Sequence, residues 1–446
     1  MNSFFKCVLS GTACAALAVM LTACPSPEQK APTYELPATE DIVMYQVNPR
    51  VFAPENSLRA VAEHVGEIAD LGCNVVWVMP IYPIGTVKSK NSPYSISDYT
   101  AIAPEFGTID DFKALVDTCH AHGMSLILDW VANHTAWDSK WLNEGHKDWY
   151  TQDEKGEIVS PIPDWSDVAD LNYDNTDMRA AMREAMLYWI NDIGIDGFRC
   201  DVADEVPLDF WKGAIDSLRA AAAPRRIVML AEGNHVENLT VAGFDMNYAW
   251  DFMHDLRKVW AGEPATLALK SDSAEYAQLP AGKVKMRFTT NHDESAAVGT
   301  PYGIFGGDRG AMAAYVATVF LHGGPLIYGS QEVGYQEPIN FFNYVAVDWK
   351  AKPEIRAEYT KLIELLKTNS PLMHGAPAGI PDDNVLAFTK GDNEFLVLVN
   401  VRDKENTLAL PEPWAGKQVT DLMTGKNREL LNAVTLQPYE YLILKR

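Results

Sequence analysis

Eight short apolar runs recur along this chain, each set apart from the next by loop or amphipathic helical sequence, and nothing else in it restricts the fold as much. The runs cover residues 42–47, 74–79, 125–130, 197–201, 227–231, 244–248, 286–290 and 325–328. Helical periodicity fills 58–71, 109–122, 176–193, 208–223 and 309–321. Strands alternating with helices pair in parallel, since each helix is the crossover that returns the chain to the same end of the sheet. Eight such units are the number that closes a TIM (β/α)8 barrel. On pattern alone, an open doubly wound sheet is the alternative. Local signals agree with the periodicity: Thr108 precedes one helix with Asp111 three residues on, and Gly123 follows its end.

Two segments depart from a minimal barrel. Residues 135–173, after the third run, show few helical signals and contain Trp137, Trp141, Trp149 and Trp165. A connection of that length inside a compact domain is a small inserted domain or a functional loop. Some of these rings suit the face of a sugar and others the core of the insert. Beyond residue 368 the pattern becomes all-β, with runs at 386–388, 394–401, 407–410, 419–422 and 439–444 and a turn at Lys390-Gly391-Asp392-Asn393. The chain is thus read as a barrel over 41–368 carrying an insert at 135–173, followed by a C-terminal β-sandwich over 369–446. The glycines in Tyr302–Gly307 lack a dinucleotide fingerprint and read as a flexible loop over the site.

The first residues read as an export signal over 1–23: Lys6, then a small and apolar run ending Leu21-Thr22-Ala23-Cys24. That ending resembles the bacterial lipobox, in which the cysteine becomes acylated. The resemblance implies a lipid on Cys24, attachment to a membrane of the bacterial cell envelope, and a Pro- and Ala-rich linker over 24–40. Cys73, Cys119 and Cys200 lie far apart in apolar segments, as buried thiols do, and form no disulfide or zinc pattern. A composition of 47% hydrophobic and 22% charged residues is that of a folded protein. The formal net charge of −23 argues against nucleic acid as a partner and suits a neutral substrate.

A barrel places its active site at the C-terminal ends of its strands, and the carboxylates gather there. The third run enters Asp129-Trp130-Val131-Ala132-Asn133-His134. The fourth ends Arg199-Cys200-Asp201, with Arg199 and Asp201 on one face of the strand. The fifth ends in Glu232 and the seventh in Asn291-His292-Asp293. Several acids and an arginine at one rim suit glycoside hydrolysis, in which one carboxylate attacks the anomeric carbon and a protonated one serves the leaving oxygen.

LDWVANH, GFRCDVADEV, LAEGN and TTNHDES, in this order, resemble the four signature regions of the α-amylase superfamily, and ADLN at Ala169–Asn172 is similar to its fifth. GCNVVWVMP, SPYSISDYTAI and GGPLIYGSQEVGY extend the likeness over roughly residues 41–368. The resemblance implies a retaining hydrolase of α-1,4-linked glucans or malto-oligosaccharides, with α-1,6 links as an additional candidate. In that pattern Asp201 is the nucleophile, Glu232 the acid/base and Asp293 a holder of sugar hydroxyls. Arg199 keeps Asp201 ionised by lowering its pKa, while partial desolvation raises that of Glu232. His134 and His292 bind sugar, Tyr94 is the aromatic platform, and Asp204 and Glu205 line the acceptor side or are solvated acids at a helix start. The chemistry implied needs no cofactor. Asn133 and Asp170 match positions that ligate structural calcium in many members, but Asp204-Glu205 replaces the usual Lys-His pair there. A transglycosylase or isomerase on the same scaffold, and an inactive glycan-binding lipoprotein, are the alternative readings.

Overall fold

The computed structural model describes residues 34–446. The signal-like run, Cys24 and the linker as far as residue 33 lie outside the described residues. Eight parallel strands close into a barrel: β1 (Met44–Val47), β2 (Val75–Val78), β3 (Ser125–Trp130), β6 (Gly197–Cys200), β7 (Val228–Ala231), β8 (Met246–Tyr248), β9 (Val284–Arg287) and β10 (Gly324–Tyr328). Around the barrel the order is β1-β10-β9-β8-β7-β6-β3-β2. The open-sheet alternative is thereby excluded.

Strand periodicity sorts the side chains. Met44, Val75, Trp77, Ile127, Val228, Leu230, Met246, Met286 and Leu326 fill the barrel interior. Their strand neighbours Val76, Val78, Leu126, Leu128, Phe198, Cys200, Met229, Ala231 and Ile327 face the surrounding helices. Most strands, though not β8 with Asn247 or β9 with Lys285 and Arg287, are therefore apolar on both faces, which is why their runs read as continuous rather than alternating. Helices such as Ser57–Asp70, Ile109–Ala121, Thr176–Tyr188, Leu208–Ala222 and Gly307–Val319 form the outer layer. The second of them carries the capping box read from Thr108 and Asp111.

The insert is pinned at its base by β4 (His134–Ala136) pairing antiparallel with β5 (Val168–Asp170), His134 opposite Asp170. Inside it Trp149 is buried against Trp141, ring centroids 5.3 Å apart. The C-terminal part comprises β11 (Ala378–Ile380), β12 (Val385–Lys390), β13 (Phe395–Asn400), β14 (Asn406–Ala409), β15 (Gln418–Asp421), β16 (Lys426–Glu429), β17 (Ala433–Leu436) and β18 (Tyr441–Lys445). Six of these form a sheet in the order β11-β12-β13-β18-β15-β16, and β14 pairs with β17 to cover it. Leu396, Leu398, Leu408, Trp414, Leu436 and Leu444 make the core between the two layers. The opposite face, with Leu386, Phe388, Val397 and Val399, joins the core of the barrel helices. Among the described residues no helix is long and apolar enough to cross a membrane.

Three details differ from the sequence reading. β9 ends at Arg287, not at 290, so His292 and Asp293 stand on the short helix His292–Ala297, whose N-cap Asn291 accepts from the Glu294 amide at 2.9 Å. The linker does not run free to residue 40: Tyr34 stacks on His120 and donates to Ser125 Oγ at 2.6 Å, and Leu36 packs against the core inside the barrel. The glycine-rich segment near 302 is no loose loop, because Tyr302 is buried in the helical turn Pro301–Ile304 and Gly306 abuts the Tyr439 ring.

Candidate active site

Beyond the C-terminal ends of the strands lies a cleft of about 540 Å³. Asp201, Glu232 and Asp293 line it together with Tyr94 and His134, although they come from distant parts of the chain. Asp201 is the residue after β6 and Glu232 the residue after β7, so two neighbouring parallel strands deliver them side by side. Aromatic walls are supplied by Trp165 from the insert, Trp250 after β8, and Phe341 and Phe342 after β10.

Arg199 organises the floor. Fully buried, it donates from Nη1 to Asp129 Oδ1 at 2.8 Å and to Asp201 Oδ1 at 3.0 Å, and from Nε to the Tyr248 hydroxyl at 3.1 Å. Its Nη2 stands 2.9 Å from Glu232 Oε2, an ion-pair contact off the line of a hydrogen bond. Asp129, whose role the motifs left open, thus belongs to the cluster; it also accepts from Trp77 Nε1 and the Tyr94 hydroxyl, both at 3.0 Å. Tyr94 stacks on His292, centroids 5.4 Å apart, with its hydroxyl 2.6 Å from His292 Nε2. His292 is buried with both ring nitrogens engaged, Nδ1 lying 2.8 Å from Gln46 Nε2. It therefore stands behind Tyr94 and beside Asp293, at 3.3 Å, rather than in the cleft wall.

Three carboxylates contact this one guanidinium, and a fourth, Asp293, lies within its field. Desolvation within the cleft, with the charge of Glu232 adding to it, pushes Asp293 up to about 8, although its side chain still faces the solvent of the cleft. Burial raises Asp129 to about 6 against the pull of Arg199. Asp201 is likewise raised well above the usual carboxylate range, first by burial and then by Glu232. Arg199 makes the expected hydrogen bond to Asp201 and pulls its pKa down, but burial and the neighbouring acids outweigh that pull. Part of the set keeps a proton at neutral pH, and its titration belongs to the set rather than to one residue. Burial pushes His134 down to about 4 and His292 well below its ordinary value, so both rings are neutral.

The turn after Asp201 wraps around Glu232. Val202 sits in the left-handed region at φ 35°, unusual for a β-branched residue and of a kind that costs about 1–3 kcal/mol. This aims its N–H at Glu232 Oε2, 2.7 Å away, while Ala203 N–H donates to the Glu232 carbonyl at 2.9 Å. Asp204 continues the brace, accepting from Asn238 Nδ2 at 2.6 Å and from the Asn234 amide at 3.1 Å, and a Cβ on Gly233 would overlap its carboxylate. Asp204 and Glu205 therefore do not line the cleft. Asp204 positions the segment that carries Glu232, and Glu205 is exposed.

The candidate calcium ligands stand at the base of the insert. Asn133 is buried with Nδ2 3.3 Å from His134 Nδ1, and the half-buried Asp170 carboxyl is raised by burial and by nearby Glu205. Among the described residues no three His, Cys, Asp or Glu side chains converge as a metal group would require. Ca²⁺ takes six to eight oxygens, and two side chains supply a minority of them. These residues alone do not fit a calcium cage, and no chemistry is routed through one.

Residues 46–368 match the model of the alpha amylase catalytic domain. Among characterised relatives, the chain is 26% identical to the alpha-amylase MalA of Haloarcula japonica, over 89% of this chain and 60% of that protein. It is 27% identical to a cyclomaltodextrinase of Bacillus sp, covering 81% of this chain and 72% of the relative. The chain thus spans less than two thirds of the haloarchaeal protein's length. Among solved structures, an alpha-amylase from Lactobacillus plantarum superposes with a TM-score of 0.80 at 28% identity, over 92% of this chain and 99% of that one. A noncanonic maltogenic alpha-amylase from Thermotoga neapolitana gives 0.80 at 26% identity, over 91% and 98%.

Proposed function

The chain belongs to the alpha-amylase family of glycoside hydrolases, and from that premise we propose that it cleaves α-glucosidic bonds of malto-oligosaccharides and related glucans with retention of configuration. The observation that carries this reading is one buried guanidinium contacting both Asp201 and Glu232 on the floor of an aromatic cleft, with Asp293 at its edge. Two carboxyls held this close suit a retaining mechanism, for which a separation of roughly 5–5.5 Å is usual, rather than an inverting one that must fit water between them.

In this reading the ring to be cleaved lies on Tyr94, and Asp201 attacks its anomeric carbon. Glu232 gives its proton to the departing oxygen, and the bond from that oxygen to the anomeric carbon breaks as the bond to Asp201 forms. Glu232, now ionised, takes a proton from water, which releases the sugar from Asp201 and restores both carboxyls. The surplus of carboxylates around Arg199 keeps a proton in the site for the first step. The half-exposed Asp293 is placed to accept hydroxyls of the same ring, and neutral His134 can donate or accept without adding charge. Aromatic rings cover the apolar faces of the neighbouring sugars. Every role falls to a side chain of this protein, so no cofactor is required.

Proton NMR during the first minutes of maltotriose hydrolysis tests the stereochemistry. The newly formed reducing end is expected as the α anomer, with the β form growing in only by mutarotation. Initial β product would refute retention.

A further inference from the structure

We propose that the cleft is blind on its donor side, so that the enzyme removes short units from non-reducing chain ends instead of cutting within long chains. This rests on the glycosidase reading of the same site and adds to it the form of substrate taken.

Barrel order fixes the directions. The leaving group must depart towards the acid, Glu232, at the end of β7, so the rest of the donor chain extends away from β7. The strand diametrically across the closed barrel from β7 is β1, flanked by β2 and β10. A wall has been built there from the loops that follow these three strands. Arg50, just beyond β1 and 4% exposed, donates from one nitrogen, Nη1, to the carbonyls of Asn91 (2.9 Å), Phe341 (3.2 Å) and Phe342 (3.0 Å). Its Nη2 is paired with Glu105 at 2.7 Å, which fixes the fork. The loop after β2 is thereby tied to the loop after β10, and the Asn91 side chain adds a bond from Nδ2 to the Phe342 carbonyl.

Lys90 closes the remaining gap. Its ammonium donates to the Asp164 carbonyl at 2.9 Å and pairs with Asp167 at 3.4 Å, joining the β2 loop to the inserted segment. Lys90, Asp164, Asp167, Phe341 and Phe342 all line the cleft, so the clasp is the cleft's own end wall. Asn91 adopts φ 64°, a left-handed conformation that turns the chain sharply at this point. Lys90 is half-exposed although Asp167 is buried, so the pair adds little stability, which suits a contact whose effect is shape. On the Glu232 side the loops are also tied, Asn234 and Asn238 to Asp204, but none of these three residues lines the cleft, whereas Trp250 does.

The test is product analysis with maltoheptaose labelled at its reducing end and with β-cyclodextrin, which has no chain end. The wild-type protein is expected to shorten the labelled chain stepwise from the far end and to leave the ring uncut. The double variant Lys90→Ala with Asn91→Ala is expected to cleave β-cyclodextrin at least about tenfold faster than the wild type and to release longer products, the usual worth of reshaping a pocket wall. Internal cleavage of maltoheptaose from the outset, or ready cleavage of the ring by the wild type, overturns the proposal. So does an unchanged product pattern in the variant. Absence of cleavage of every α-glucoside, maltotriose and aryl glucosides included, would instead sink the glycosidase reading beneath it.

Discussion

Replacing Asp201 with alanine is expected to lower kcat on maltotriose on the order of 10³-fold or more while leaving the melting temperature unchanged or higher. The two halves of this result have one cause. Asp201 is buried beside Glu232 and Asp129 and pushed well above the ordinary carboxylate range, so its charge opposes folding and its removal relieves that repulsion. Glu232→Gln is expected to lose a similar factor on maltotriose. It should regain much of its rate for bond cleavage on glucosyl fluoride, whose leaving group needs no proton, whereas Asp201→Ala should not. Calorimetry beside steady-state kinetics on both substrates reads the split. Near-normal turnover in either variant, or equal rescue of both by the fluoride, would refute the assigned roles.

Arg199→Leu has the opposite signature, since it removes the cation and leaves the acids. Breaking a buried ion pair on one side typically costs about 3–5 kcal/mol, and here Asp129, Asp201 and Glu232 all lose their partner. The loss should depend on pH in a definite sense. A carboxyl raised in the folded state binds more protons folded than unfolded between its two pKa values, so its contribution is fully present below about 3.9, the unfolded value. That contribution falls away as the pH climbs through the folded values, about 6 for Asp129 and about 8 for Asp293. Without Arg199 these values rise further. Urea unfolding should therefore show a larger deficit for the variant at pH 8 than at pH 5. A deficit that is equal at both, or larger at pH 5, would show that the arginine does not serve as the counter-ion of this cluster.

The parts of the molecule legible in the sequence are those set by short-range periodicity. Barrel strands buried on both faces announce themselves as apolar runs, and alternation alone assigned Arg199 and Asp201 to one side and Cys200 to the other. The end of β9 was misplaced because Phe288 to Thr290 remain apolar or β-branched after strand pairing has stopped, and the helix cap at Asn291 takes over. In the C-terminal sheet, β16 was invisible because Lys-Asn-Arg-Glu carries no apolar face; it is held as the hairpin partner of β15. Asp129 stood in a recognised motif without a role, since nothing local shows that it faces Arg199 70 residues away. For Asp204 the sequence leaves open an acceptor-side residue or a solvated acid at a helix start, and it is neither, since its carboxylate is taken up by Asn234 and Asn238. The wall built on Arg50 was beyond reach for the same reason, because its bonds span up to 292 residues.

Trapping the intermediate bears most directly on the account. Incubation with a fluorinated α-glucosyl fluoride, which forms the glycosyl-enzyme faster than water can release it, should add one sugar mass to the protein. Peptide mass spectrometry should find that sugar on the carboxylate of Asp201, and Asp201→Ala should take up none. A sugar carried by Glu232, Asp293 or Asp129 instead, or rapid turnover of the fluoride with no adduct in a protein that yields β product, would contradict it.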